Sequence, residues 1–171
     1  MYPEICKIGP LTIYSYGLAL VLAFSLSAVL LLKQAKKKGF DPELIFNLAF
    51  LVFIFGIIGS RAFYVTENVG YYFKYPLEII MLQHGGLSWF GGLLLGIIAG
   101  VLYLKKKNLK IYEVLDLIAP FVALGQSIGR IGCFLNGCCF GKTFQFPPQI
   151  ISSFFLLLTF IFLRFKQERP H

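Results

Sequence analysis

The sequence predicts an all-α bundle of about five transmembrane helices, and three observations predict it. Apolar residues fill 57% of the 171 positions and charged residues 14%, at a mean hydropathy of +0.75. A water-soluble domain of this size needs more charge to cover its surface. The apolar residues also fall in long blocks rather than short alternating runs, which is the pattern of spans and not of a half-buried sheet. Finally, the basic residues stand beside those blocks, so the net charge of +8 reads as membrane flanks, and no nucleic-acid partner is expected.

The first block, Leu11–Leu32, carries no charge and would cover about 33 Å at ~1.5 Å per residue, enough for a bilayer core. It is too long for a cleavable signal peptide and has no basic n-region of the usual kind, so it is expected to remain as a span. Leu44–Val65 comes after Asp41-Pro42-Glu43, a capping acid before a proline at the first helical position. Gly86–Leu104 is apolar except for Ser88, and Asp116–Leu135 carries Gln126 and Arg130. Pro147–Leu163 is the shortest block, and Pro147-Pro148 confines its helix to the residues after the proline pair. Gly92, Gly96 and Gly100 on the third span, and Gly125 and Gly129 on the fourth, have the spacing that lets helix backbones approach in lipid. A single membrane domain over residues 1–171 is expected.

Orientation comes from the loops. Lys33, Lys36, Lys37 and Lys38, then Lys105, Lys106, Lys107 and Lys110, then Arg164, Lys166 and Arg169 all fall on one side if five spans alternate. The other side has only Lys7, Lys74 and Lys142. The positive-inside rule therefore places the N-terminus outside and the C-terminus in the cytoplasm, and the lysine clusters read as anchors to anionic cytoplasmic lipid.

Polar groups inside the spans are costly and mark candidate sites. Arg61 lies near the outer end of the second span and Arg130 deeper in the outward half of the fourth. Tyr14, Ser15 and Tyr16 open the first span, His84 with Gly85-Gly86 precedes the third, and Asn136 closes the fourth. Each has a plainer reading: arginines that snorkel, tyrosines of an aromatic belt, a solvated histidine. Two guanidinium groups near one interface also match the phosphate of a lipid head group, which their planar fork binds. Cys133, Cys138 and Cys139 form an outward C-x4-C-C cluster that reads as structural or disulfide-bonded, with soft-metal binding and thiol redox as alternatives. It lacks a full zinc-ligand set. No metal and no cofactor are expected.

The run Gly129-Arg130-Ile131-Gly132-Cys133-Phe134-Leu135-Asn136-Gly137-Cys138-Cys139-Phe140-Gly141 resembles the signature of the prolipoprotein diacylglyceryl transferases, G-R-x-G-N-F-x-N-G-E-x-x-G. Ile8-Gly9-Pro10 with Tyr14-Ser15-Tyr16-Gly17, Gly59-Ser60-Arg61, Gly85-Gly86-Leu87-Ser88-Trp89-Phe90-Gly91-Gly92 and Pro147-Pro148-Gln149 are similar to further motifs of that family, in the same order. The resemblance implies transfer of the diacylglyceryl group of phosphatidylglycerol to the lipobox cysteine of lipoprotein precursors. The setting is the outer face of a bacterial plasma membrane, with membrane lipid as the surroundings. It implies roles for Arg130 as the essential motif arginine, for Arg61 as the second, and for Tyr16, Asn136 and Gly141. Arg130, Tyr16 and His84 are the expected catalytic residues; Arg61, Arg130, Asn136 and Gly141 are the expected substrate contacts.

The chain departs from the family pattern at chemically telling places. Phe90 stands where the family has a histidine, Cys133 where it has asparagine, Cys138 where it has glutamate, and Ser152 where an acidic residue is expected. The family pattern also carries two further spans with an R-F-x-x-E-x-x-R type segment. Phe90 cannot take a proton, which leaves His84 as the other outward imidazole. The alternative expectation is a non-catalytic paralogue that binds phospholipid or a lipoprotein precursor.

Overall fold

The computed structural model describes residues 4–8, 11–81, 85–139 and 147–168. Two strands, β1 (Glu4–Ile8) and β2 (Leu11–Tyr14), are followed by helices α1 (Ser15–Lys37), α2 (Pro42–Glu67), α3 (Val69–Lys74), a 3-10 turn over Pro76–Ile79, α4 (Trp89–Lys106), α5 (Ile111–Asn136) and α6 (Pro148–Glu168). Five of these helices, α1, α2, α4, α5 and α6, are long and apolar enough to cross a membrane. The five membrane-length helices are thus as predicted. The first of them starts later than expected, because Leu11–Tyr14 pairs antiparallel with Glu4–Ile8, Ile8 opposite Leu11 and Lys7 opposite Thr12. β-Branched Ile8, Thr12 and Ile13 favour that pleated pairing over a helix.

The other boundaries shift for local reasons. The Asp41 side chain accepts from the Glu43 N–H at 2.9 Å, with Pro42 at the first helical position, and α2 begins there. Gly85 and Gly86 both have φ of +80°, outside any helix, so α4 starts at Trp89 rather than at Gly86. Helix α5 begins at Ile111, ahead of the expected Asp116, and accommodates Pro120 within it.

The chain falls into two compact units: the segments up to Gly39 and from Tyr112 onward form one, and Phe40–Ile111 the other. Both leave many large apolar residues exposed, as lipid-embedded helices do. On α1, Ala19, Ala23, Ala28 and Ala35 are buried while Val21, Leu22, Leu26 and Val29 are exposed.

In the Phe40–Ile111 unit, α2 and α4 pack backbone to backbone. A Cβ on Gly59 would meet the Gly91 carbonyl oxygen and stand 2.6 Å from the Leu95 Cβ; one on Gly92 would stand 2.9 Å from the Gly56 oxygen. Both are inside van der Waals contact, so glycine is required at the crossing. The Tyr103 hydroxyl donates to the Leu44 oxygen at 3.3 Å, tying the other end of the pair.

In the other unit, α5 is the hub. Gly132 rests on α1, where an added Cβ would come 2.5 Å from the Ala19 Cβ; by contrast, one on Gly129 would meet nothing within 4 Å among the described residues. Of the two glycines expected to pack on the fourth span, a Cβ on Gly125 would stand 3.3 Å from the Ser27 hydroxyl oxygen, whereas Gly129 makes no such approach among the described residues. Helix α6 is joined to α5 by a reciprocal serine pair. The Ser127 hydroxyl donates to the Ser153 oxygen and the Ser153 hydroxyl to the Ser127 oxygen, both at 2.9 Å and both buried. Val114, Leu117, Phe121 and Leu124 form the apolar core beneath it.

Candidate functional site

The two arginines differ in how their donors are used. Arg61, near the end of α2, is only 6% exposed. Its Nε donates to the Ile79 oxygen at 3.0 Å; Nη1 donates to the oxygens of Gly85 and Gly86 at 2.5 and 2.9 Å; Nη2 donates to those of Glu78 and Met81 at 2.5 and 3.2 Å. A guanidinium has five N–H groups, and all five here serve the backbone of one loop. The Tyr72 and Tyr64 rings stand 5.3 and 6.0 Å from its central carbon and add their π faces to the carbonyl dipoles.

The glycine pair makes this arrangement possible. Left-handed φ at both Gly85 and Gly86 turns two successive carbonyls onto one nitrogen, a conformation other residues adopt at a cost. A Cβ on Gly86 would also stand 2.7 Å from the Tyr64 Cδ1 and 2.9 Å from the Arg61 Nη1. The Ser88 N–H donates to the Ser60 oxygen at 3.0 Å and fastens the loop to α2 just before α4 begins. The sequence reading expects Arg61 to offer its fork to a phosphate, but as placed it has no donor left.

Arg130 is the reverse case. It is exposed on α5 and has no hydrogen-bond partner among the described residues. It lines a cavity of about 550 Å³ with Gln126 from the same helix and Pro148, Ile151, Ser152, Phe155, Leu156 and Thr159 from α6. Gln126 is four residues earlier, so it lies on the same helix face. Ser152 and Thr159 spend their protons on the oxygens of Gln149 and Phe155, at 3.0 and 2.9 Å, and so offer lone pairs only. Among the described residues the donors free in this cavity are therefore the Arg130 guanidinium and the Gln126 amide, set against an apolar wall. A cationic fork over such a wall suits an anionic head group with a hydrocarbon tail. Gln126 is a site residue that the sequence reading did not assign. Its signal was an amide in an apolar span one turn before an arginine.

Tyr16 belongs to the same unit. It opens α1 within electrostatic reach of Arg130 and of the three cysteines, and its Cδ2 would lie 3.8 Å from a Cβ on Gly132. Asn136 ends α5 and is half-buried. The structure thus gathers Arg130, Tyr16 and Asn136 in one unit, while Arg61 stands in the other. His84 and Gly141 lie outside the described residues. Phe90, in the first turn of α4, is 69% exposed and sits edge-on to Trp89 at 5.4 Å.

The arrangement of the cysteines is set by how α5 ends. Gly137, at φ +74°, donates its N–H to the Phe134 oxygen at 3.2 Å, and the Cys138 N–H donates to the Cys133 oxygen at 3.1 Å. These are the two bonds of a Schellman motif, and they bring Cys138 back beside Cys133. All three cysteines are free thiols. Partial desolvation first, and the adjoining Cys138 second, push the Cys139 thiol up, away from the low values of a nucleophilic thiolate.

Comparison with known proteins agrees with the signature. The family model for prolipoprotein diacylglyceryl transferase matches residues 3–169. A phosphatidylglycerol–prolipoprotein diacylglyceryl transferase of Clostridium tetani is 39% identical over 151 residues, 88% of this chain and 60% of that protein. One of Fusobacterium nucleatum is 42% identical over 152 residues, 88% of this chain and 52% of that protein. A third, of Caldanaerobacter subterraneus, is 32% identical over 177 residues, 98% of this chain and 68% of that protein. The chain therefore spans little more than half the length of the first two relatives. With its five membrane-length helices it is a multi-pass membrane protein, and it belongs to the prolipoprotein diacylglyceryl transferase family.

Proposed function

We propose that this chain moves the diacylglyceryl group of phosphatidylglycerol onto the lipobox cysteine of lipoprotein precursors, with Arg130 as the phosphate anchor. The observation that carries this reading is the Arg130 guanidinium, without a hydrogen-bond partner among the described residues, in an apolar cavity within a chain matched along its length by the family model. In the reaction the precursor's sulfur bonds to the terminal glyceryl carbon, and that carbon's bond to the phosphate oxygen breaks. Glycerol phosphate leaves with the electron pair, and the thiol proton passes to a base or to water. Negative charge grows on the departing phosphate, where a prepositioned guanidinium stabilises it most. Gln126 adds a second donor. Tyr16, Asn136 and Gly141 are proposed to complete the contacts.

The setting proposed is a bacterial plasma membrane, one membrane domain with the N-terminus and the active face outward, on the asymmetry of basic residues. Arg61 is proposed as a positioning residue: it holds the loop that leads through His84 to Phe90. His84 is the proposed base if one is used. Phe90 favours a second reading, a paralogue that binds lipid or precursor without turnover, because a phenyl ring takes no proton.

One experiment separates the two readings. The purified chain in nanodiscs containing phosphatidylglycerol is given a lipobox peptide, and release of glycerol phosphate is followed. The transferase reading expects release that requires both peptide and Arg130. No release between pH 6 and 9, with lipid still bound, would establish the non-catalytic reading instead.

A further inference from the structure

The cysteine cluster has no part in either the transferase or the lipid-binding reading. The Sγ atoms of Cys133, Cys138 and Cys139 all lie within 4.8 Å of one another, and those of Cys138 and Cys139 are 3.7 Å apart. Two thiolates on one tetrahedral ion with ~2.3 Å bonds stand about 3.8 Å apart. A disulfide would need a separation of about 2.05 Å and would leave the third sulfur over. We propose that Cys133, Cys138 and Cys139 form a three-thiolate site for a soft d10 cation such as Zn(II), Cd(II) or Cu(I), with any fourth position open to solvent.

The backbone builds this convergence rather than chance side-chain placement. The Schellman bonds return Cys138 to Cys133. Cys139 then takes φ of +64°, a left-handed conformation uncommon outside glycine, and stands with its sulfur beside that of Cys138. The loop is fixed from α6 by Gln149, only 1% exposed, whose Nε2 donates to the Cys138 oxygen at 2.7 Å. Thiolates are soft ligands and select thiophilic ions over hard ones. Three thiolates on a divalent ion carry one net negative charge. Arg130, three residues before Cys133 and within electrostatic reach of Cys139, supplies the compensating positive one. Cys139 is exposed and the other two are half-buried, so an ion has an entry path.

The test uses the full chain in detergent, reduced and stripped of metal, titrated with Cd(II). The expected result is one ion per chain, with the thiolate-to-metal charge-transfer absorption of three sulfurs. That ion should also protect all three cysteines from alkylation by a maleimide. Cys133→Ser, Cys138→Ser and Cys139→Ser should each weaken binding by more than ~100-fold, the upper end of what a change outside the ligand set costs. Affinity should rise with pH, since binding displaces protons from the thiols. Cd(II) bound without the charge-transfer band, binding unchanged in Cys139→Ser, or alkylation undiminished by Cd(II) would each overturn the site. So would recovery of the cysteines as a stable disulfide that metal does not displace. If Cys133→Ser fails to fold, the alkylation result on the unaltered chain decides.

Discussion

Replacing Arg61 with alanine removes five donors from five carbonyl oxygens at once. The bonds are 2.5 to 3.2 Å long and the side chain is buried. Hydrogen bonds to a charged group contribute about 1.5–3 kcal/mol each. Simple addition overstates the loss, because carbonyls in a released loop regain water. A more realistic figure is the ~3–5 kcal/mol seen when one partner of a buried charged network is removed. That loss falls on the loop first, since α2 and α4 keep their glycine contacts. Amide hydrogen exchange of the purified protein should therefore lose at least about 10²-fold protection over Glu78–Met81 and Gly85–Ser88, at ~1.4 kcal/mol per decade. Arg61→Lys, with three donors in place of five, should fall between. Unchanged exchange in Arg61→Ala, together with lost lipid binding, would refute the clamp and return Arg61 to the phosphate.

Three further predictions test other parts of the structure. Gly132→Ala should destabilise the α1–α5 packing by about 1–3 kcal/mol through overpacking against Ala19. Gly129→Ala should be neutral or stabilising by up to ~1 kcal/mol through helix propensity, and thermal melting of the two variants checks both. Reporter fusions after Lys38 and Lys107 should read cytoplasm and one after Tyr75 the exterior; a cytoplasmic signal at Tyr75 would sink the proposed topology. Below the ~8.5 pKa of a substrate thiol the transfer rate should rise about tenfold per pH unit, and Phe90→His should raise it at neutral pH. A plateau that disappears in His84→Ala would make His84 the base instead.

The membrane-length helices were legible because twenty-residue apolar blocks have few alternative fates. The α2 cap was legible because Asp41-Pro42 specifies its own local geometry. The β2 strand was not, since Leu11–Tyr14 is apolar and runs straight into α1, and periodicity over four residues does not separate strand from helix. Arg61 shows a deeper limit. An arginine at a span's outer end looks the same in sequence whether it meets a phosphate or a folded loop. Its acceptors here are backbone oxygens 17 to 25 residues away, and backbone oxygens leave no mark in a sequence. The Gly85-Gly86 pair was visible, but its purpose depends on that arginine. Gln126 was the opposite, a same-face neighbour of Arg130 by helical spacing alone.

In the proposed reaction Arg130, and not Arg61, anchors the phosphate of phosphatidylglycerol. The most direct measurement compares Arg130→Ala and Arg130→Lys with the unaltered chain in nanodiscs, for thermal stability, phosphatidylglycerol binding and glycerol phosphate release. Since Arg130 is exposed and has no hydrogen-bond partner among the described residues, Arg130→Ala should melt within ~0.5 kcal/mol of the original. It should nevertheless bind the lipid weakly and turn over about 10²–10³-fold more slowly. Arg130→Lys should recover part of the binding but little of the rate, as a point charge in place of a fork. Binding and turnover equal to the unaltered chain in Arg130→Ala would contradict the account.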